Sequence, residues 1–366
     1  MRKGLFALAA VGLLATGGMA ACGDDSSDTG SSGGSTSSVG KVGVILPDTA
    51  SSQRWGTDDP KFLKQAFDAA GVPVDIQNAQ GDKSQFQTIA DGMISSGVKV
   101  LIIVNLDSGT GKAVLDKAKA AGIATIDYDR LTLSGGANYY VSFDNVKVGE
   151  LQGQGLVDCL TEKKYTKPVV AELNGSPTDN NATLFAQGYN SVLDPKYADG
   201  TFTKGPNQSV PNWDNAQGGT IFEQMLTSNK KIQGVLAAND GLGNSVISAL
   251  KARKLKQLPV TGQDATTQGL QNILAGDQCM TVYKAIKKEA DAASKLAIAL
   301  SKGQQPPAGL VNGKSDDGSR QVPSVLLTPV AVTKDNIKDT VLADGFVKRE
   351  ELCAGKFAAD CTKAGI

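Results

Sequence analysis

Histidine is absent from all 366 residues. Its absence removes the Ser-His-Asp and Cys-His nucleophile systems, His-ligated zinc and the commonest general base. A surplus of charge is missing too: 37 Lys+Arg face 37 Asp+Glu, and the basic residues are scattered rather than clustered. That balance excludes the electrostatic footprint of a nucleic-acid binder. Aromatics are sparse at 5%, with two tryptophans, Trp55 and Trp213. Apolar runs are short. The run from Leu5 to Leu14 falls well below the ~20 residues of a membrane-spanning helix.

That short run sits in an export address. Arg2 and Lys3 precede it, Gly and Ala close it, and Met19-Ala20-Ala21-Cys22 follows. The tetrapeptide resembles the bacterial lipobox, with Met19 where Leu is usual. The likeness implies a signal peptide over 1–21 and Cys22 as the lipidated first residue of an exported, membrane-anchored protein. The plainer alternative is an ordinary secreted protein cut near Ala21. A Ser/Gly/Asp-rich stretch fills 22–39 with the composition of a flexible tether.

With Cys22 set aside, four cysteines remain: Cys159, Cys279, Cys353 and Cys361. An exported compartment permits disulfides, and three pairings are open. A local Cys353–Cys361 staple is favoured because the two lie close together in a short tail over 351–366; four free thiols are the other option. Neither spacing is a metal-binding pattern, and no cofactor motif survives inspection. Gly109-Thr110-Gly111-Lys112 has Ala113 where a phosphate loop needs Ser or Thr, and Gly241-Leu242-Gly243 lacks a third glycine.

The body alternates short β-rich runs with helical patterns. Val42–Pro47, Val72–Ile76, Val98–Asn105 and Ile123–Tyr128 read as strands; Phe62–Ala70, Ser84–Ser96 and Lys112–Ala121 read as helices. The theme restarts with strands at Val169–Leu173, Ile232–Ala238 and Val260–Gln263. Helices over Asn181–Leu193, Ala216–Thr227 and Asn244–Lys254 accompany them. Val98–Asn105 is nearly continuous Val/Ile/Leu, as in a parallel strand covered on both faces. Such alternation predicts an α/β protein of two doubly wound parallel-sheet lobes.

In that architecture ligands gather beyond the carboxyl ends of strands. Six strand ends carry polar residues: Asp48, Asn105 to Asp107, Asp129-Arg130, Asn174 to Ser176, Asn239-Asp240 and Gln263-Asp264. Asn and Asp also cap helices, so each position alone admits either role.

Longer stretches point to a family. Tyr140-Val141-Ser142-Phe143-Asp144-Asn145 with Lys147-Val148-Gly149-Glu150-Leu151 resembles the interdomain segment of type I periplasmic sugar-binding proteins. Arg54-Trp55, Tyr128-Asp129-Arg130, Gly175-Ser176-Pro177 through Asn181, Thr261 to Asp264, and Met280 to Lys284 resemble the D-xylose-binding branch of bacterial ABC importers. So do Leu326 to Pro329 and Asn336 to Thr340, and the likeness spans about 41–350. It departs before Arg54, where Asp48 stands alone in place of paired acids, and around Trp213, where the loop is reworked.

The resemblance implies a non-enzymatic monomer that captures a monosaccharide, D-xylose first, and delivers it to ABC permease subunits. A three-crossing hinge is implied, with 40–143 plus 286–327 in the N-terminal lobe and 144–285 plus 328–350 in the C-terminal lobe. Sugar contacts are implied at Arg54, Trp55, Asp129, Arg130, Asn181, Trp213, Asn239, Asp264 and Lys284, with Asn180 an adjacent candidate. These residue types suit the chemistry. A pentose is a disc whose hydroxyl rim suits bidentate Arg, carboxylate and amide partners, while indoles can cover its C–H faces.

Competing readings are a sugar-responsive transcription regulator, a glycosidase and a sensor that shows its closed form to a receptor. The regulator would need a DNA-binding domain where the signal and tether stand. A glycosidase built on Asp129 and Asp264 would need a raised carboxyl pKa that Arg130 and Lys284 oppose.

Overall fold

The computed structural model describes residues 39–366. The expected signal peptide, Cys22 and the tether up to residue 38 lie outside the described residues. In chain order the first half forms β1 (Val42–Leu46), α1 (Asp58–Ala69), β2 (Val74–Asn78), α2 (Lys83–Ser95), β3 (Val100–Ile103), α3 (Ser108–Ala120), β4 (Ala124–Tyr128) and β5 (Tyr139–Phe143). The chain continues with α4 (Asn145–Glu162), β6 (Val169–Asn174), α5 (Asn180–Ala198), β7 (Thr203–Ser209), α6 (Asn215–Ser228), β8 (Ile232–Ala237), α7 (Asp240–Ala252), α8 (Thr267–Ala275) and β9 (Thr281–Tyr283). It closes with α9 (Ile286–Ser301), β10 (Gly313–Asp316), β11 (Gln321–Leu327), β12 (Val330–Val332), α10 (Arg349–Leu352) and α11 (Ala358–Lys363).

Two lobes result. The first holds a seven-stranded sheet in the order β10-β11-β5-β4-β3-β1-β2, parallel except for β10 at its edge. Every residue of β1 and β3 is buried, because helices cover both faces. Separate apolar clusters fill the two faces, one around Phe67 and Leu296, the other around Phe86 and Met93. The second lobe is built on β7-β6-β8, all parallel, with the antiparallel pair β9 and β12 beside it. The chain passes between the lobes at β5 to α4, after β9 into α9, and from β11 to β12. Among the described residues no helix is long and apolar enough to cross a membrane.

Capping explains why helices start where they do. Asp82, Asp107, Asp144, Asp179, Asp214, Asn239 and Thr266 each accept a backbone N–H in the first turn of the helix that follows. Both disulfides are formed, Cys353–Cys361 within the tail and Cys159–Cys279 between the end of α4 and the approach to β9.

No element was expected at β5, β9 to β12, α4 or α8 to α11, and two further differences are instructive. Val260–Gln263 is not a strand; Val260 alone bridges to Val235. The Thr261 hydroxyl takes the ladder's place, accepting from the Ala237 N–H and donating to the Ala237 carbonyl. Conversely β7 was not anticipated. Its sequence, TKGPNQS, is polar and mostly exposed, as an edge strand can be, and carries no apolar alternation.

Candidate functional site

Each implied sugar contact but one reaches the same place. Arg54 and Trp55 lie in a 3-10 turn, Gln53–Gly56, after β1, and Asp129 and Arg130 follow β4 directly. Asn181 is the second residue of α5, Trp213 ends a 3-10 turn at Pro211–Trp213, Asn239 caps α7, and Lys284 follows β9. Together with Asp264 these nine line one small cavity between the lobes, joined by Ser51, Ser52, Asp179, Phe185 and Gln263. Asn180 is not on that lining; it is the half-buried first residue of α5.

The cavity measures about 30 Å³. Such a space suits a water rather than a pentose, because the polar groups have closed upon one another. Asp129 Oδ2 accepts from Arg54 Nη1 at 2.8 Å and from Lys284 Nζ at 3.2 Å. Asn181 Nδ2 reaches across from the other lobe to the Asp129 carbonyl at 2.9 Å and its Oδ1 at 3.1 Å. Ser52 Oγ donates to Asp264 Oδ2 at 3.1 Å, and Arg130 Nε lies 3.2 Å from Asp179 Oδ2. The lobes are therefore held together by the side chains that would bond a sugar.

Electrostatics follow from this crowding. Burial alone would raise the Asp129 carboxyl, but Lys284, Arg54 and Arg130 outweigh it and hold the group down at about 2. Burial would likewise lower Lys284, and Asp129 with Asp264 reverses that effect. Both acids sit on left-handed backbone, Asp129 at φ 60° and Asp264 at φ 97°. Non-glycine residues hold such angles at a cost of roughly 1–3 kcal/mol, and do so where surrounding structure fixes them.

The two arginines differ in what they can offer. A guanidinium has five donors. Arg54 gives Nε and one Nη2 hydrogen to Asp59, both at 2.7 Å, its other Nη2 hydrogen to Glu289 at 2.6 Å, and one Nη1 hydrogen to Asp129. One donor remains, so Arg54 does not meet the expectation of a bidentate partner for two hydroxyls. Arg130 donates Nη1 to the Asn105 carbonyl at 3.2 Å and Nη2 to Ser51 Oγ at 3.4 Å. Its Nε is buried without a hydrogen-bond acceptor. Arg130 is thus the better equipped of the two.

The indoles frame the cavity from different lobes. Trp55 lies under the Arg54 guanidinium, 4.2 Å from its ring centroid, and its own N–H is buried without a partner. Trp213 donates to Asp179 Oδ2 at 3.0 Å and meets Phe185 edge-on at 6.4 Å. Gly175 makes room for it, since a Cβ there would collide with the indole. Lys284 is flanked by the Phe143 and Phe185 rings, each 5.9 Å away.

Sequence reasoning missed Asp59, Glu289, Tyr128, Phe185 and the double role of Asp179. Glu289 had a readable signal: it falls among Ile286, Ala290, Ala293, Leu296 and Ala297 on the buried face of α9. A lone acid on such a face needs a buried partner. Of the polar strand ends, Asp107 serves α3 as a cap, while Asn239 caps α7 through Oδ1 and also lines the cavity. A second cavity of about 430 Å³ adjoins the first and shares Ser51, Arg130, Asp179 and Trp213 with it.

Known proteins are similar to this chain over most of its length. The periplasmic binding protein domain matches residues 42–305. A D-xylose-binding periplasmic protein of Escherichia coli (strain K12) is 39% identical over 314 residues, 85% of this chain and 92% of that protein. A multiple sugar-binding periplasmic receptor of Rhizobium radiobacter is 36% identical, over 86% of this chain and 92% of its own length. The crystal structure of a carbohydrate transporter solute binding protein from Chloroflexus aurantiacus, in complex with D-glucose, superposes with a TM-score of 0.77 at 32% identity. It covers 85% of this chain and 97% of that one. These relatives are binding proteins rather than enzymes.

Proposed function

Since this chain belongs to the type I periplasmic binding protein family, we propose that it captures a monosaccharide, D-xylose first, between its lobes and delivers it to an ABC permease. The observation that supports the reading most is convergence. Nine residues far apart in sequence, drawn from both lobes and the hinge, line a single cavity with indoles, carboxylates, amides and cations. Closure brings the two sets together, and the sugar's hydroxyls take over bonds that Asp129, Lys284, Asn181 and Asp264 now make with protein groups. We take the lobes as 40–143 plus 286–327 and 144–285 plus 328–350.

In the same proposal Cys22 carries the lipid, and the tether leaves a monomer free to move on the outer side of the cytoplasmic membrane. Replacing Cys22 by Ser should release the protein from the membrane fraction; retention would refute the anchor.

The sugar is tested by calorimetric titration of the full chain with pentoses and hexoses. D-Xylose is expected to bind most tightly. Silence with xylose and strong heat with glucose would move the assignment to a hexose, and silence with every sugar would overturn the reading. A broader sugar range is the second reading, favoured by the likeness to a multiple sugar-binding receptor, which also admits a sensory partner for the closed form.

A further inference from the structure

Behind the cavity lies a buried charge cluster that touches no lining surface of its own. Asp59 from α1 and Glu289 from α9 are both 0% exposed, and both bind the Arg54 guanidinium. We propose that Asp59 and Glu289 are positioning residues of the sugar site: they hold Arg54 from behind and so fix Asp129, and Glu289 does this as a neutral acid. The proposal rests on the sugar-capture reading above.

Asp59, Asp129 and Glu289 surround Arg54, Lys284 is shared between Asp129 and Asp264, and Arg130 pairs with Asp179, so five buried carboxyls share three positive charges. A buried carboxylate without compensation is costly, so a carboxyl around Arg54 retains a proton. Geometry shows which. Asp59 takes two Arg54 bonds and the Tyr128 hydroxyl at 2.6 Å. Asp129 takes Arg54, Lys284 and Asn181. Glu289 accepts one bond through Oε2, and its Oε1 is buried without a partner. Oε1 is where the proton belongs. Burial accordingly pushes the Glu289 carboxyl up to about 8, against the opposing pull of Arg54.

The groups facing Glu289 are few. They are Arg54 from the 3-10 turn, Asp59 from α1, Tyr128 and Asp129 at the end of β4, Tyr140 from β5, and Lys284 from the hinge. The adjoining strands β3 and β11 contribute no titratable residue. Tyr128 and Tyr140 are raised well above their ordinary value, Lys284 is raised, and Asp129 sits at about 2.

The consequence reaches the sugar through Arg54. With Asp59 gripping the Nε–Nη2 edge, Arg54 cannot rotate, and Nη1 stays on Asp129. Ionising Glu289 adds an unmatched negative charge behind Asp129 and draws Arg54 toward α9. Affinity should therefore fall as the solution becomes alkaline, without any change in a residue that touches sugar.

The test is xylose titration of the full chain from about pH 6 to about pH 9.5, with far-UV circular dichroism confirming the fold. The wild type should lose about tenfold in affinity above about pH 8. Glu289→Ala should weaken binding by about tenfold or more at neutral pH, and Glu289→Gln should recover most of that loss and flatten the alkaline limb. Asp59→Asn, which frees the Arg54 fork, should weaken binding without removing the limb. The buried acids Asp127 and Asp240 are raised to about 7, so persistence of the limb in Glu289→Gln would assign it elsewhere and overturn the proposal. Unaltered affinity in both Glu289→Ala and Asp59→Asn would overturn it as well. Failure of the wild type to bind any sugar would instead defeat the sugar-capture reading.

Discussion

Gly175→Ala is the sharpest steric test of the site. Gly175 lies between β6 and α5, and Trp213 packs directly over it. A Cβ built on Gly175 stands 2.5 Å from Trp213 Cζ3 and closer still to Cζ2 and Cη2. Carbon atoms in contact sit about 3.5–4.0 Å apart, so the indole must retreat by more than about 1 Å. Retreat is expensive because Trp213 is 5% exposed, donates to Asp179 and packs edge-on against Phe185. Overpacking of this kind costs about 1–3 kcal/mol, and loss of the bond to Asp179 leaves a buried carboxylate short of a donor at a further cost of about 1–3 kcal/mol. A shifted indole also no longer covers its face of the sugar. We expect about tenfold or greater loss of xylose affinity, read by calorimetry, with a lower urea midpoint. With two tryptophans in the chain, the Trp213 emission is isolated in a Trp55→Phe background and should shift toward red. Normal emission and normal affinity in Gly175→Ala would show that the indole is not pinned as described and that its place on the cavity is not essential.

Three further outcomes follow from the same geometry. Asp129→Asn keeps the shape but leaves Arg54 and Lys284 without their shared anion, so xylose affinity should drop about a hundredfold and stability by about 3 kcal/mol or more; a variant that unfolds and binds like the parent would contradict this. Asp127 and Asp240, raised by burial from 3.8 to about 7, and Glu289, raised to about 8, hold protons that the unfolded chain releases. Their stabilising effect is complete below the ordinary carboxyl range and lost as pH rises through 7 to 8, so the thermal midpoint should fall between about pH 5 and about pH 8.5. A rising midpoint over that window would refute it. Opening Cys159–Cys279, with a separation of 120 residues, should cost about 5 kcal/mol, against about 2–3 kcal/mol for Cys353–Cys361 with a separation of 8. Denaturant titration of paired Cys→Ala variants gives the order, and equal losses would count against the loop-entropy account.

The centre of the first lobe was readable because β1 and β3 are buried on both faces and the turns before α2 and α3 carry helix caps. Val100–Ile103 is uninterrupted Val/Leu/Ile, and Asp82 and Asp107 mark the starts of α2 and α3. The second lobe was less readable at its edges. The strand Thr203–Ser209 has no apolar alternation, and at Thr261 a side-chain hydroxyl replaces the ladder that a run of β-rich residues would otherwise imply. Within the site, residues that follow strands were legible, since topology places strand ends at the cleft. Asp59 and Glu289 were not. They lie on helices far apart in sequence, and their role is visible only once Arg54 is seen to have its fork turned away from the cavity. Periodicity marks a buried face but does not name the partner across it.

The internal pairing of the cavity bears on selectivity. A site whose donors and acceptors were held apart and dry would punish each missing hydroxyl with an unpaired group, about 1–3 kcal/mol at a time. Here Asp129, Arg54, Lys284 and Asn181 already satisfy one another, so a sugar lacking the hydroxyl they face lets them pair again at little cost. The Trp55 N–H has no such fallback within the protein, and Arg130 Nε has the Asp179 carboxylate nearby but no well-formed hydrogen bond. Discrimination by hydroxyl pattern therefore concentrates on the part of the ring nearest Arg130 and Trp55. The Asp129 cluster supplies affinity in the measure that its own pairs are loosened. A cluster free to collapse on itself holds a useful geometry only if a second layer, Asp59 and Glu289, restrains Arg54 from the far side.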